Sequence, residues 1–279
     1  MRPLSAGALS NVIYRADLHC HTSFSDGTST PFELLRLAKQ EGLSGICITD
    51  HDTFGAYTPN LFVEAKKIGI DLFVGVEFST SFEKKCVHVL GYGVDLNDDM
   101  RDLCQMLDQS RKERNQSILK CLQRFDILIE DFFFKRFANQ HTIGRMHVAQ
   151  CLVEKGYVQN IQEAFDRYIG DAKPCFVSAQ LPPIDDVIDR IHLANGKAFL
   201  AHPHLLSHKI KDALLTKNFD GIECYYGLFD ARFACRWVNI AEKKGWLISG
   251  GSDFHGSFKP QFFLGSSWVG LSDVEKIFR

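Results

Sequence analysis

No stretch of the sequence approaches the ~18–20 consecutive apolar residues that a membrane-spanning helix needs. Met1-Arg2-Pro3 is not followed by the apolar core of a secretory signal, so a cytoplasmic location without a membrane partner is expected. The sequence has no C-x-x-C pair. Its nine cysteines are scattered, and an odd, irregularly spaced set argues for reduced thiols over a disulfide framework. Excess charge is missing as well. With 32 Lys+Arg against 34 Asp+Glu, a formal charge of −2 makes duplex nucleic acid an unexpected partner. There is no tandem repeat and no low-complexity tract. The 279 residues, 45% hydrophobic and 24% charged, have the makeup of one large α/β barrel or a domain carrying an insertion.

A short apolar strand followed by a helix recurs along the chain. Val12–Leu18 reads as a first strand. Thr30-Pro31-Phe32-Glu33 then carries an N-cap, a proline at the first helical position and the glutamate of a capping box. Strands follow at Ser44–Thr49, Asp71–Val76 and Val87–Tyr92, the last reached through the charged turn Glu83-Lys84-Lys85 and so antiparallel. From about Asn97 to Pro174 the spacing is helical, as at Leu103, Met106 and Leu107. Alternation resumes with strands Lys197–Ala201, Gly221–Tyr225 and Trp246–Ser249, the last preceded by a long helix over Leu228–Lys244. Seven strands separated mostly by helices predict an α/β fold, a distorted seven-stranded barrel. It divides into a first barrel part over 1–96, a helical insertion over 97–174 and a second barrel part over 175–279.

In such barrels chemistry sits at the C-terminal strand ends, and there the eleven histidines become informative. The first strand ends in Asp17-Leu18-His19-Cys20-His21, where alternate residues share a face and two imidazoles can grip one cation. Asp26 follows in the next loop. Later strands deliver Thr49-Asp50-His51-Asp52, Gly75-Val76-Glu77, His88, Ala201-His202-Pro203-His204 and Ser252-Asp253-Phe254-His255. A lone histidine beside a strand usually belongs to the core. Nine such groups in one mouth would be costly to pack without compensating cations. Nitrogen and oxygen donors without thiolates favour manganese, iron or zinc, and nine ligands suit two or three divalent ions. Three ions against Asp26, Glu77 and Asp253 leave the site positive, ready for an anionic phosphoryl group.

These motifs resemble the PHP (polymerase and histidinol phosphatase) family, in order and across most of the chain. The resemblance implies a two- or three-metal phosphoesterase in which a metal-activated hydroxide attacks phosphorus, with His19, His21, Glu77, Asp253 and His255 at the catalytic core. His19, His21, Glu77 and Asp253 would hold one ion. Asp26, His51 and His202 would hold a second, and Glu77, His88 and His255 a third. Thr142–Ala149 and Leu152–Gly156 are similar to the insertion of a subgroup acting on nucleoside 3′,5′-bisphosphates and on the 5′ ends of short RNA. The implied partner is a phosphorylated small molecule or short single-stranded RNA.

Arg145, with its bidentate fork, and His147 are candidate phosphate contacts. His204 replaces the glycine of a Gly-Arg pair usual in that subgroup, and could bind phosphate only when protonated. Arg111, Lys112 and Arg114 read as a solvated helix face. Histidinol phosphate is the alternative substrate. An amidohydrolase also opens on H-x-H, but wants a carboxylated lysine and a solitary late aspartate. A non-catalytic metal-binding barrel would have lost ligands, and here every position is filled.

Overall fold

The computed structural model describes residues 13–137, 142–227 and 231–279. In chain order the first elements are β1 (Ala16–Cys20), α1 (Pro31–Gln40), β2 (Gly45–Ile48), α2 (Pro59–Ile68), β3 (Asp71–Phe82) and β4 (Lys85–Tyr92). Four helices then follow without a strand: α3 (Asp98–Leu122), α4 (Glu130–Arg136), α5 (Arg145–Glu154) and α6 (Ile161–Ala164), the last running into a π-helical turn at Phe165–Ile169. The chain closes with α7 (Ile184–Leu193), β5 (Lys197–Leu200), α8 (His208–Leu214), β6 (Gly221–Tyr226), α9 (Ala231–Lys244), β7 (Leu247–Gly251) and α10 (Leu271–Phe278).

Local chemistry sets the helix starts. At α1 the Thr30 side chain accepts from the Glu33 amide while the Glu33 carboxylate accepts from the Thr30 amide, the predicted capping box. Before α9, residues 228–230 of the predicted helix lie outside the described residues, as does Val12 of the first predicted strand.

The seven strands form one sheet in sequence order, parallel except that β4 runs against both β3 and β5. β3 continues six residues past its predicted end at Val76 and turns through Glu83 and Lys84, both at positive φ. The barrel shuts where the end of β7 meets β1, the Asp253 amide donating to His19 O and the His21 amide to Phe254 O. Gly251 is required there. A Cβ on it would stand 2.3 Å from the His19 nitrogen, well inside contact distance.

Burial divides along the same lines. Val76, Phe78, Val87 and Val89 of β3 and β4 pack with Val187 and Ile191 of α7 and with Met100, Leu103 and Leu107 of α3. A separate core lies within the inserted helices, built on Ile118, Leu122, Phe133, Val148, Leu152 and Ile169. Each such side chain contributes roughly 1.5–3 kcal/mol of burial. α3 therefore serves both bodies. Its Cys121 is disulfide-bonded to Cys175, with Cα atoms 5.4 Å apart, and the other seven cysteines are free. This corrects the expectation of reduced thiols throughout. Sequence spacing does not register that Cys175 returns beside the last turn of α3.

Candidate metal centre

Strand pleating aims the site. His19 in β1 and His21 just beyond it share a face, and the tight turn after them brings Asp26 back, with the Gly27 amide bonded to Thr22 O. His51 follows β2 and is bridged to Glu77 of β3. On the neighbouring strand His88 lies opposite Ser79, two residues along from Glu77 and therefore on its face. Because β4 is antiparallel, His88 reaches the mouth from early in its strand rather than from its end. His202 lies two residues past β5, and Asp253 and His255 lie just past β7. Asp52, His202 and Asp253 all have positive φ (57°, 26° and 54°), a backbone strain of about 1–3 kcal/mol each that clusters at functional sites.

The ligand atoms converge. His19, His21, Glu77 and Asp253 form one group whose donor atoms lie within 4.8 Å of each other; His21, Asp26, His51 and His255 form a second; His51, Glu77 and His88 form a third. Glu77 joins them. Its Oε2 stands 3.2–3.3 Å from His19 Nε2, His21 Nε2 and His51 Nδ1, and its Oε1 stands 2.8 Å from His88 Nδ1 and from His202 Nε2. His19 Nε2, His21 Nε2, Asp26 Oδ1, His51 Nδ1 and His255 Nε2 are all buried without a hydrogen-bond partner. Buried polar atoms are normally satisfied. Five orphans facing one another form a donor set able to hold divalent cations.

Electrostatics point the same way. Burial alone would lower the His19 pKa, but the Glu223 and Glu77 carboxylates outweigh it and hold it well above the ordinary histidine value. At His51 burial wins, and the imidazole is held well below that value. Burial would raise Glu77, yet the surrounding His51, His88 and His19 hold it well below the carboxylate range. Without cations the cluster survives only by sharing protons, and metal binding would release them.

The structure regroups two of the expected ligands. His255 Nε2 faces Asp26 at 3.3 Å, while His202 faces Glu77 and His88. The two had been assigned the other way round. Of the candidate phosphate contacts, Arg145 donates to Ile169 O and to Asp171. His147 is buried, its Nδ1 accepting from the Gly144 amide, and burial lowers its pKa to about 4. His204 stacks on Tyr226 and edges onto Trp237, and burial, with Lys211 and His202 nearby, lowers its pKa to about 4.

Other residues had escaped notice. Glu223 Oε1 is 2.9 Å from His19 Nδ1, and its Oε2 accepts from the His202 amide at 2.6 Å. It thereby holds His19 with Nε2 free for a cation. Lys259 pairs with Asp253 Oδ2 at 3.2 Å, and the Tyr226 hydroxyl donates to the same oxygen at 2.8 Å. Arg111 is no solvated residue: it is buried, ion-paired with Asp52.

A mostly parallel barrel whose mouth gathers six imidazoles and two aspartates around a shared glutamate defines a metal-dependent hydrolase class. The family model for the PHP domain matches residues 17–244, and the chain belongs to that family. It is 35% identical over 254 residues to the 5′-3′ exoribonuclease Rnm of Escherichia coli, covering 88% of this chain and 85% of that one. It is 30% identical over 248 residues to the 3′,5′-nucleoside bisphosphate phosphatase of Chromobacterium violaceum, covering 86% of each. Among solved structures, a Bifidobacterium adolescentis protein assigned as a metal-dependent phosphoesterase superposes with a TM-score of 0.85 at 29% identity, over 94% of both chains. A Chromobacterium violaceum protein named as an amidohydrolase superposes with 0.82 at 28%, over 90% of both. One fold carries both names, so the chemistry of the site must decide between them.

Proposed function

We propose that this PHP-family phosphoesterase hydrolyses phosphate esters of nucleotides, either the 3′-phosphate of a nucleoside 3′,5′-bisphosphate or successive 5′ nucleotides of a short RNA. It would use two or three divalent ions, manganese before iron or zinc, and would act in the cytoplasm. The ligands would be His19, His21, Asp26, His51, Glu77, His88, His202, Asp253 and His255. The observation that carries this reading is the Glu77 carboxylate, with both oxygens spread over five imidazoles. Such a bridge suits adjacent cations and a phosphoryl group held across them. Ions of this kind lower the pKa of water and neutralise charge on phosphorus.

The protein's own groups do the rest. Glu223 fixes the His19 ring, and the Asp253 carbonyl fixes His255 by accepting from Nδ1 at 2.7 Å. Lys259 lines the mouth with its ammonium beside Asp253, placed to steady a phosphoryl oxygen. The cavity above the ligands, about 810 Å³, is walled by Met146 and Phe165 from the inserted helices and by Phe258 and Phe262 from the loop after β7. Aromatic walls of this kind suit a nucleobase better than the imidazole of histidinol phosphate. No ligating lysine stands among the nine, which disfavours the amidohydrolase reading.

The test compares turnover of adenosine 3′,5′-bisphosphate, a 5′-phosphorylated short RNA and histidinol phosphate, each with Mn²⁺. The nucleotide substrates should lead by at least about tenfold in kcat/KM, about 1.4 kcal/mol. Histidinol phosphate leading would overturn the substrate assignment.

A further inference from the structure

An imidazole in the mouth turns one nitrogen to a cation, and the partner of its other nitrogen decides whether that lone pair is free. His19 Nδ1 meets the Glu223 carboxylate at 2.9 Å, and His255 Nδ1 meets the Asp253 carbonyl at 2.7 Å. Carboxylate and carbonyl oxygens accept, so each keeps a proton on Nδ1. His21 differs. Its Nε2 is buried without a hydrogen-bond partner, 3.2 Å from Glu77 Oε2 and 3.3 Å from Asp253 Oδ1. Its Nδ1 lies 3.4 Å from Ser25 Oγ, and a hydroxyl can donate as readily as accept. Asp26 Oδ1, at 3.6 Å from the same nitrogen, is beyond hydrogen-bond reach.

Asp50 removes the ambiguity. It is buried, one residue before His51, yet its carboxylate serves the turn that follows His21. Its Oδ1 accepts from the Thr22 amide at 2.7 Å and from the Ser25 hydroxyl at 2.6 Å, and its Oδ2 accepts from the Thr22 hydroxyl at 2.6 Å. The turn is closed further by the Phe24 amide on Thr22 Oγ1 and by the Ser25 amide on Thr22 O. A carboxylate taking three donors has no proton of its own to give.

The proton count then fixes the imidazole. Ser25 has one hydroxyl hydrogen, and it is committed to Asp50. What Ser25 turns to His21 is a lone pair, so a neutral His21 carries its proton on Nδ1. Its Nε2 is left bare, aimed between Glu77 and Asp253. A ligand histidine must be neutral, so this is the form in which His21 meets a cation.

We propose that Asp50 is a positioning residue that acts through Ser25, holding the His21 proton on Nδ1 and presenting Nε2 to the cation shared with His19, Glu77 and Asp253. The two histidines of the H-x-H motif reach the same tautomer by different routes. His19 leans on a carboxylate directly, and His21 on a hydroxyl that a carboxylate has oriented. Asp50 therefore serves the histidine of the neighbouring strand rather than His51 beside it. This rests on the ligand assignment proposed above and deepens it.

Titration of the chelated protein with Mn²⁺ tests the relay in the wild type, Ser25→Ala, Asp50→Leu, the double variant and Asp50→Asn. Ser25→Ala and Asp50→Leu should each weaken one bound ion by at least about tenfold. The double variant should lose no more than either, because both changes cut the same chain of hydrogen bonds. Asp50→Asn keeps an oxygen for the Thr22 amide and the Ser25 hydroxyl, and should lose less than about threefold. Unchanged affinity in Ser25→Ala would overturn the proposal, as would losses that add in the double variant. So would a loss in Asp50→Asn as deep as that in Ser25→Ala. Were Asp50 only a clamp on the fold, its variants would unfold at lower denaturant while the folded protein bound Mn²⁺ as before, which also overturns it. Should Asp50→Leu not fold, Ser25→Ala and Asp50→Asn decide. A wild type that takes up no Mn²⁺ sinks the ligand assignment and this proposal together, whereas unchanged variants of a wild type that binds it sink this proposal alone.

Discussion

Glu223 lies within β6 rather than at its end, yet its carboxylate takes His19 Nδ1 and leaves Nε2 directed at Glu77 and Asp253. Glu223→Gln should weaken metal affinity by ~10–100-fold while leaving the fold intact, measured by titrating the chelated protein with Mn²⁺. His147 gives a pH signature. Its pKa lies near 4 against an ordinary 6.5, so the unfolded chain takes up its proton first as pH falls. The stability it confers is present above pH 6.5 and drains away toward pH 4, on the order of 3 kcal/mol. Denaturant unfolding at pH 7 and pH 4.5 should show that loss in the wild type and much less of it in His147→Asn. The convergence of the mouth histidines on Glu77 was legible because strand pleating has period two, so H-x-H and D-x-H spacings announce a shared face. Glu223 was not: a single glutamate in an apolar strand has no spacing partner. Arg111 was misread for a related reason, since charges on a helix face signal solvent unless the partner Asp52, 59 residues away, is known to fold against them.

At the scale of elements, the order of strands and helices could be read from apolar runs and caps, because those signals are local. β3 was cut short because Ser79, Thr80 and Ser81 resemble a loop, whereas in the structure they pair with His88, Val87 and Cys86. Ser79 and Ser81 share the strand face of Glu77, while Thr80 lies on the other face with its hydroxyl donating to Val87 O. The inserted helices have their own core, and we propose that residues 97–174 act as a subdomain forming one wall of the substrate cavity. The last turn of α3 is joined to the chain leaving these helices by Cys121–Cys175. Protein purified without reductant and then denatured should therefore titrate about seven thiols, rising to about nine after reduction, and reduction should cost about 2–4 kcal/mol of stability. Nine thiols from the start would rule the crosslink out.

For the whole molecule, the barrel brings residues as far apart in sequence as His19 and Asp253 within 3.4 Å, and Gly251 lets the last strand close onto the first. Sequence order reveals which residues reach the mouth but not their angular positions around it, so it does not show that His255 faces Asp26 and His202 faces Glu77. All of this depends on divalent cations filling the space among those ligands. The most direct measurement is metal content and turnover on the same sample, before chelation, after it, and after reloading with Mn²⁺. About two to three ions per chain, activity lost with them and restored on reloading, is the predicted result. Undiminished turnover in protein holding less than about one-tenth of an ion per chain would contradict it.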